Sequence, residues 1–159
     1  MSLLEIKDVN ISYHTPTKTV YAVQDVSLNV EEEDSVGIVG ESGSGKSTLA
    51  MGILRLLPEN ITEIEGQAEL NGKDLLSLSR KELNEVRWVD ISVVFQKAMN
   101  ALSPVHRIGE QMEDIYHVHF PNTPKAEVKK RIYELLKMVN LSERVYSSYP
   151  HELSGGMMQ

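Results

Sequence analysis

The chain has 159 residues, 41% hydrophobic and 25% charged, enough for one globular domain with a real core. Its net charge of −7 disfavours a nucleic-acid partner, because phosphate backbones are met by Lys and Arg surfaces. Cysteine is absent, which excludes disulfides, Cys-ligated zinc and thiol nucleophiles together, and no apolar run approaches the roughly 18 residues needed to span a bilayer.

The amino terminus, MSLLEIKDVNISY, lacks the basic segment and long apolar core of a signal peptide and reads as a strand. Any membrane role is therefore expected to come through a partner. Leu4, Ile6 and then Val9, Ile11, Tyr13 give a broken two-residue alternation; residues 20–30 give a second, after a turn over 14–18 that contains Pro16. Residues 35–39 are a short apolar run, predicted to be a fully buried strand that leads into a glycine-rich loop. From Lys46 to Leu57 the residues Leu49, Ile53, Leu54 and Leu57 recur at helical spacing, and Pro58 stops the pattern. Residues 64–70 predict another strand, followed by the turn pair Asn71-Gly72. Ser79, three residues before Glu82, is a capping box that opens a helix over 79–87. A second buried-type strand is predicted over 91–95. Residues 96–104 are loop-like, and helices are predicted over 108–117 and 125–139, the latter begun by Thr123-Pro124 as N-cap and first-turn pair. A last, short helical signal ends at Tyr149-Pro150. The order is β-rich, then βα, then all-α, with no internal repeat.

The sharpest chemical signal is Gly40-Glu41-Ser42-Gly43-Ser44-Gly45-Lys46-Ser47, a phosphate-binding P-loop between an apolar run and an amphipathic helix. Glycines give the backbone dihedrals that aim successive N–H groups at one anion, and let a phosphate approach closely. The helix opening at Lys46 adds its N-terminal partial positive charge. Gly40, Ser42, Gly43, Ser44, Gly45, Lys46, Ser47 and Thr48 are the candidate binders of ATP, with Lys46 reaching the β- and γ-phosphates and the Ser47 hydroxyl placed for Mg²⁺. Near the other end, Ser154-Gly155-Gly156 opening a helix offers a second anion site, free N–H groups beside a hydroxyl; the plainer alternative is an ordinary helix start.

Further strings fit one P-loop family. Leu153-Ser154-Gly155-Gly156-Met157-Met158-Gln159 resembles the signature motif of ABC transporter ATPases, and Val93-Val94-Phe95-Gln96 resembles their Q-loop. Tyr13 is similar to the A-loop aromatic that stacks on adenine, against the plain alternative of a half-buried strand tyrosine. Gly37-Ile38-Val39-Gly40-Glu41-Ser42, Met99-Asn100-Ala101-Leu102-Ser103-Pro104 and Tyr149-Pro150-His151-Glu152 resemble oligopeptide/dipeptide importer ATPases, with Ser103 where that subfamily more often shows Asn. The similarity runs along the whole chain.

The resemblance implies an α/β fold: a P-loop NTPase core with an N-terminal antiparallel β subdomain and a C-terminal α-helical subdomain. Residues 1–95 would be the nucleotide-binding half and 96–159 the Q-loop, helical and signature half. It implies ATP and Mg²⁺ as cofactors, Gln96 beside the metal and the attacking water as a catalytic and metal-facing residue, and Ser154, Gly155 and Gly156 on the nucleotide of a paired module. Implied partners are a second ABC ATPase subunit, integral-membrane permease subunits and, indirectly, an extracytoplasmic binding protein, with no nucleic acid, at the cytoplasmic face of the membrane. The family's Walker B strand, with its Asp and Glu, follows the signature and is not found in these residues, so an incomplete core sheet is expected. Glu31-Glu32-Glu33-Asp34 and Asp90 do not replace it: the first is expected to be a solvated turn, and the second precedes its strand. Turnover by this stretch alone is therefore not expected, and a non-hydrolysing nucleotide-binding or oligomerisation fragment is the alternative. An ABC-type DNA-repair ATPase is disfavoured by the short interval between residues 96 and 153, which lacks heptads. His117 and His119 are a lone His-x-His without a convincing third metal ligand.

Overall fold

The computed structural model describes residues 2–95 and 101–158. They fall into two compact units, Met1–Asp90 and Ile91–Gln159.

The first unit begins with two long strands, β1 (Ser2–His14) and β2 (Thr19–Glu31), paired antiparallel through the turn at 15–18. After α1 (Lys46–Ile53) come β3 (Thr62–Leu70), β4 (Lys73–Asp74) and α2 (Arg80–Val86). The sheet order is β2-β1-β3-β4, every pairing antiparallel. The break in the alternation of β1 is a bulge: Asp8 and Asp25 stand at φ 50°, and Gly66 on β3 at φ +99°, where an added Cβ would lie 2.6 Å from the Asp8 carbonyl oxygen. Side chains satisfy the backbone there. Ser27 Oγ accepts from Asp8 N at 2.9 Å, and Asn10 Oδ1 accepts from Asp25 N at 2.9 Å. One face of the sheet is the core, with Ile6, Val9, Ile11, Val23, Ala68 and Leu70 buried, and α1 lies against β1 and β2.

Three expectations are corrected in this unit and at the start of the next. Residues 35–39 form no strand; Val36, Ile38 and Val39 are exposed, Val39 by 92%. Residues 92–95 likewise carry no ladder, and Val94 is 72% exposed. An apolar run becomes a buried strand only when neighbours on its flanks take its N–H and C=O groups, and no described strand pairs with either run. The helix expected to continue to Leu57 ends at Ile53. Arg55 turns left-handed at φ 50°, and the bonds Arg55 N→Gly52 O (2.8 Å) and Leu56 N→Met51 O (2.9 Å) close a Schellman motif before Pro58 is reached. Arg87 braces that end, donating Nε to Leu54 O at 3.1 Å and Nη2 to Arg55 O at 2.8 Å, where a cation complements the helix's carbonyl end. The capping box at Ser79 forms as expected, Ser79 N donating to the Glu82 carboxylate at 2.9 Å.

Among its described residues the second unit has α3 (Ile108–His119), α4 (Lys125–Met138), 3₁₀ turns at Glu143–Ser147 and Pro150–Glu152, and α5 (Gly155–Met158). Pro124, not Thr123, occupies the N-cap of α4, and no side chain caps it. Val128, Ile132 and Leu136, one helical stripe at four-residue spacing, form the core with Ile108 and Val145. Glu113, only 13% exposed, accepts a hydrogen bond from the Tyr146 hydroxyl and lies 3.8 Å from Lys125 Nζ. Gln111 clamps the segment before α3: Oε1 accepts from Ser103 N at 2.8 Å while Nε2 donates to Ser103 O at 3.1 Å and His106 O at 3.0 Å. Among the described residues no helix is long and apolar enough to cross a membrane.

Candidate functional site

The glycine-rich segment leads into α1, whose first intrahelical bond is Leu49 N→Gly45 O at 2.8 Å. The N–H groups of Lys46, Ser47 and Thr48 thus belong to the helix's first turn, where none has an intrahelical acceptor. Gly43 and Gly45 sit at φ +86° and +90°, a left-handed alternation of the kind that anion-binding nests use, and the Ser44 N–H between them donates to Glu41 O at 3.2 Å. Gly45 is required twice over, since a Cβ on it would lie 2.4 Å from the Ala22 carbonyl oxygen on β2. The sheet therefore presses directly on the loop and fixes where the helix starts.

The Lys46 ammonium folds back over the loop and donates to Gly40 O (2.8 Å), Glu41 O (2.7 Å) and Ser44 Oγ (3.1 Å). These three oxygens carry no formal charge, so the loop concentrates positive potential from the ammonium and the helix terminus in one place. Ser42 and Ser47 are exposed. A cleft of about 370 Å³ adjoins the loop, lined by Val23, Leu28, Ile38, Gly40, Ser44 and Lys46 among others. The Ser47 hydroxyl, in the first turn of α1, is a hard oxygen of the kind Mg²⁺ takes alongside phosphate oxygens.

Tyr13 lies near the end of β1, opposite Val20 on β2 and Thr62 on β3, and is half-buried. Two residues earlier on the same face, Ile11 abuts Gly52 of α1: a Cβ on Gly52 would lie 2.3 Å from Ile11 Cδ1. Tyr13 thus shares the α1 side of the sheet. Gly52 and the Ala22 carbonyl are contributors that the sequence reading passes over; the first has a signal, a glycine three residues after Leu49 on the buried face of the helix.

In the second unit, Ser154 immediately precedes α5, and Met157 N and Met158 N both reach Ser154 O at 3.0 Å. Ser154, Gly155 and Gly156 are all exposed. Gln96 lies outside the described residues. The acidic run 31–34 is a tight exposed turn, with Glu33 at φ 67° and Glu31 N donating to Asp34 Oδ2 at 3.2 Å. His117 has its ring nitrogens near backbone carbonyls, Nδ1 2.9 Å from Glu113 O and Nε2 3.2 Å from Thr123 O; a neutral imidazole donates to one of them. Among the described residues no group of three or more His, Cys, Asp or Glu could hold a metal ion.

The ABC transporter family model matches residues 23–159. The chain is 40% identical over 160 residues to the oligopeptide transport ATP-binding protein OppD of Escherichia coli, covering 99% of this chain and 47% of that protein. Its similarity to OppD of Mycobacterium tuberculosis is also 40%, over 26% of that longer protein. The chain thus spans about half, or less, of the length of these curated relatives. Among solved structures it is similar to the ATP-binding cassette MJ0796, described as a dimer in a post-hydrolysis state bound to ADP and Pi. There the TM-score is 0.79 at 29% identity, covering 98% of this chain and 65% of that one. The phosphate-type loop, the antiparallel sheet beside it and a family match over most of the chain lead to one conclusion: this chain belongs to the ABC transporter family.

Proposed function

We propose that this chain binds Mg-ATP at residues 40–48 and acts as part of the ATP-binding subunit of an oligopeptide- or dipeptide-type ABC importer. The observation that carries the proposal is the Lys46 ammonium folded onto the Gly40 and Glu41 carbonyls of a loop that has two left-handed glycines and leads into an eight-residue helix. In this reading residues 1–95 are the nucleotide-binding half and residues 96–159 the helical and signature half. The backbone N–H groups from Ser42 to Thr48 hold the phosphates, Ser47 and Gln96 face Mg²⁺, and Tyr13 stacks on the base. Ser154, Gly155 and Gly156 serve the nucleotide of a paired subunit, and dimer closure drives permease subunits from the cytoplasmic face of the membrane. The peptide class is supported by the OppD relatives, and pairing by the dimeric MJ0796 cassette. The test is Mg-ATP affinity by calorimetry: Lys46→Ala should weaken it at least about tenfold, the scale of a lost charge-assisted hydrogen bond, and equal affinity in the two proteins sinks the assignment.

A second reading, nucleotide binding without turnover by these residues alone, is supported by the acidic run, which is spent on an exposed turn. Phosphate release by the purified chain, compared with Lys46→Ala, tests this second reading, and its absence leaves the first intact. Lys46-dependent turnover would exclude the second reading.

A further inference from the structure

The face of the sheet opposite α1 carries a polar cluster that none of the roles above uses. Ser12 and His14 project there from β1, Thr19 from β2 and Glu63 from β3, by the pleat that sends the intervening Tyr13 to the other side. The His14 ring touches all three strands: Nε2 lies 2.8 Å from Glu63 Oε2 and 3.3 Å from Ser12 Oγ, and Nδ1 lies 3.1 Å from Thr19 Oγ1. The backbone adds His14 N→Ile61 O at 2.7 Å, and the hairpin is closed by Thr15 N→Lys18 O at 2.9 Å. A neutral imidazole protonated on Nε2 donates to Glu63 while Nδ1 accepts from the Thr19 hydroxyl; an imidazolium donates to both. The cluster is therefore satisfied in either protonation state.

Its position matters because Tyr13 is bracketed by its two β1 members, Ser12 and His14. A strand end next to a hairpin frays readily unless tied, and three ties on the far face hold the Tyr13 Cα–Cβ bond in one direction. We propose that His14, held by Glu63 and Thr19, is a positioning residue that aims Tyr13 at the base of the bound nucleotide. The proposal rests on the assignment of Tyr13 to the base and of residues 40–48 to the phosphates. It gives the outer-face cluster a role in base affinity and none in phosphate affinity.

The test compares two probes, Mg-ATP and inorganic tripolyphosphate, which has phosphates but no base, on the full chain and its variants. His14→Leu and Glu63→Leu should weaken Mg-ATP about fivefold, part of what a base–aromatic stack contributes, and leave tripolyphosphate within about twofold of the parent. Glu63→Gln keeps an acceptor for the imidazole N–H and should restore Mg-ATP affinity. Circular dichroism and the thermal midpoint show that each variant is folded, and the Glu63 pair keeps the test decisive if His14→Leu does not fold. Tyr13→Ala should reproduce the base-selective loss, and Lys46→Ala should weaken both probes. If Tyr13→Ala and Lys46→Ala behave so while the folded His14 and Glu63 variants bind Mg-ATP like the parent, the positioning role is overturned and the nucleotide site stands. Equal loss of both probes in the Glu63→Leu variant also overturns it, in favour of a general structural role. If Lys46→Ala weakens neither probe, the nucleotide site falls and the positioning role with it.

Discussion

Residues 40–47 and 154–156 share a composition, serine and glycine opening a helix, yet the fold treats them differently. The first loop is imposed from outside. Gly45 is pressed against the Ala22 carbonyl of β2, two glycines are held left-handed, and the helix that follows runs for eight residues. It also carries its own cation, folded over the loop oxygens. In the second, Ser154, Gly155 and Gly156 are all exposed, and a Cβ on Gly156 would meet nothing within 4 Å. An anion receptor is thus built into the first region by tertiary contact, whereas the second presents N–H groups on the surface, in keeping with the proposed role of completing a neighbour's site.

Substitutions can break or sharpen that contrast. The largest effect is expected from Gly45→Ala, which forces a left-handed alanine at about 1–3 kcal/mol and adds the clash with the Ala22 carbonyl. Urea denaturation should show that loss, with Mg-ATP affinity falling alongside; parent-like stability would mean the loop is not held by the sheet. Lys46→Ala should come next, lowering Mg-ATP affinity at least about tenfold while the urea midpoint stays put, because the ammonium meets only loop oxygens and packs no core.

Tyr146→Phe probes the second unit and should cost about 1 kcal/mol, a charge-assisted hydrogen bond discounted for partial exposure. Desolvation raises the Tyr146 hydroxyl to about 12, with its bond to the Glu113 carboxylate adding to the shift. The folded state therefore holds that proton more tightly than the unfolded state does. The resulting stability is complete below about pH 10 and is lost as pH rises toward 12, so thermal melts across that window should decline in the parent and flatten in Tyr146→Phe. The smallest effect belongs to Gly156→Ala, expected within about 0.5 kcal/mol of the parent because the space is open. A loss as large as that of Gly45→Ala would erase the distinction between the two regions.

What could be read in advance follows the range of the forces involved. The paired strands β1 and β2, the Asn71-Gly72 turn and the Ser79 capping box depend on residues a few positions apart, and each formed as read. Residues 35–39 and 92–95 are apolar yet form no strand, because apolarity alone does not make one. The ladder comes from neighbours distant in sequence, and none of the described strands supplies it. The early end of α1 is not legible locally: Pro58 is the obvious breaker, whereas the left-handed turn at Arg55 is braced by Arg87, a residue 32 positions away. In the loop the residue types were legible. The contact that makes Gly45 irreplaceable was not, since nothing about Ala22 marks its carbonyl.

By itself the sequence determined the chemistry of residues 40–48, because glycine, lysine and serine at that spacing encode a backbone shape, a charge and a hydroxyl locally. It also determined the family, through strings distributed along the chain. Tertiary structure alone decided that β2 backs the loop, that Tyr13 lies on the α1 side of the sheet, and that His14 ties three strands together on the other side. Those facts depend on strand register, and register is set where residues 13, 20 and 62 meet across the sheet, a relation no local pattern carries.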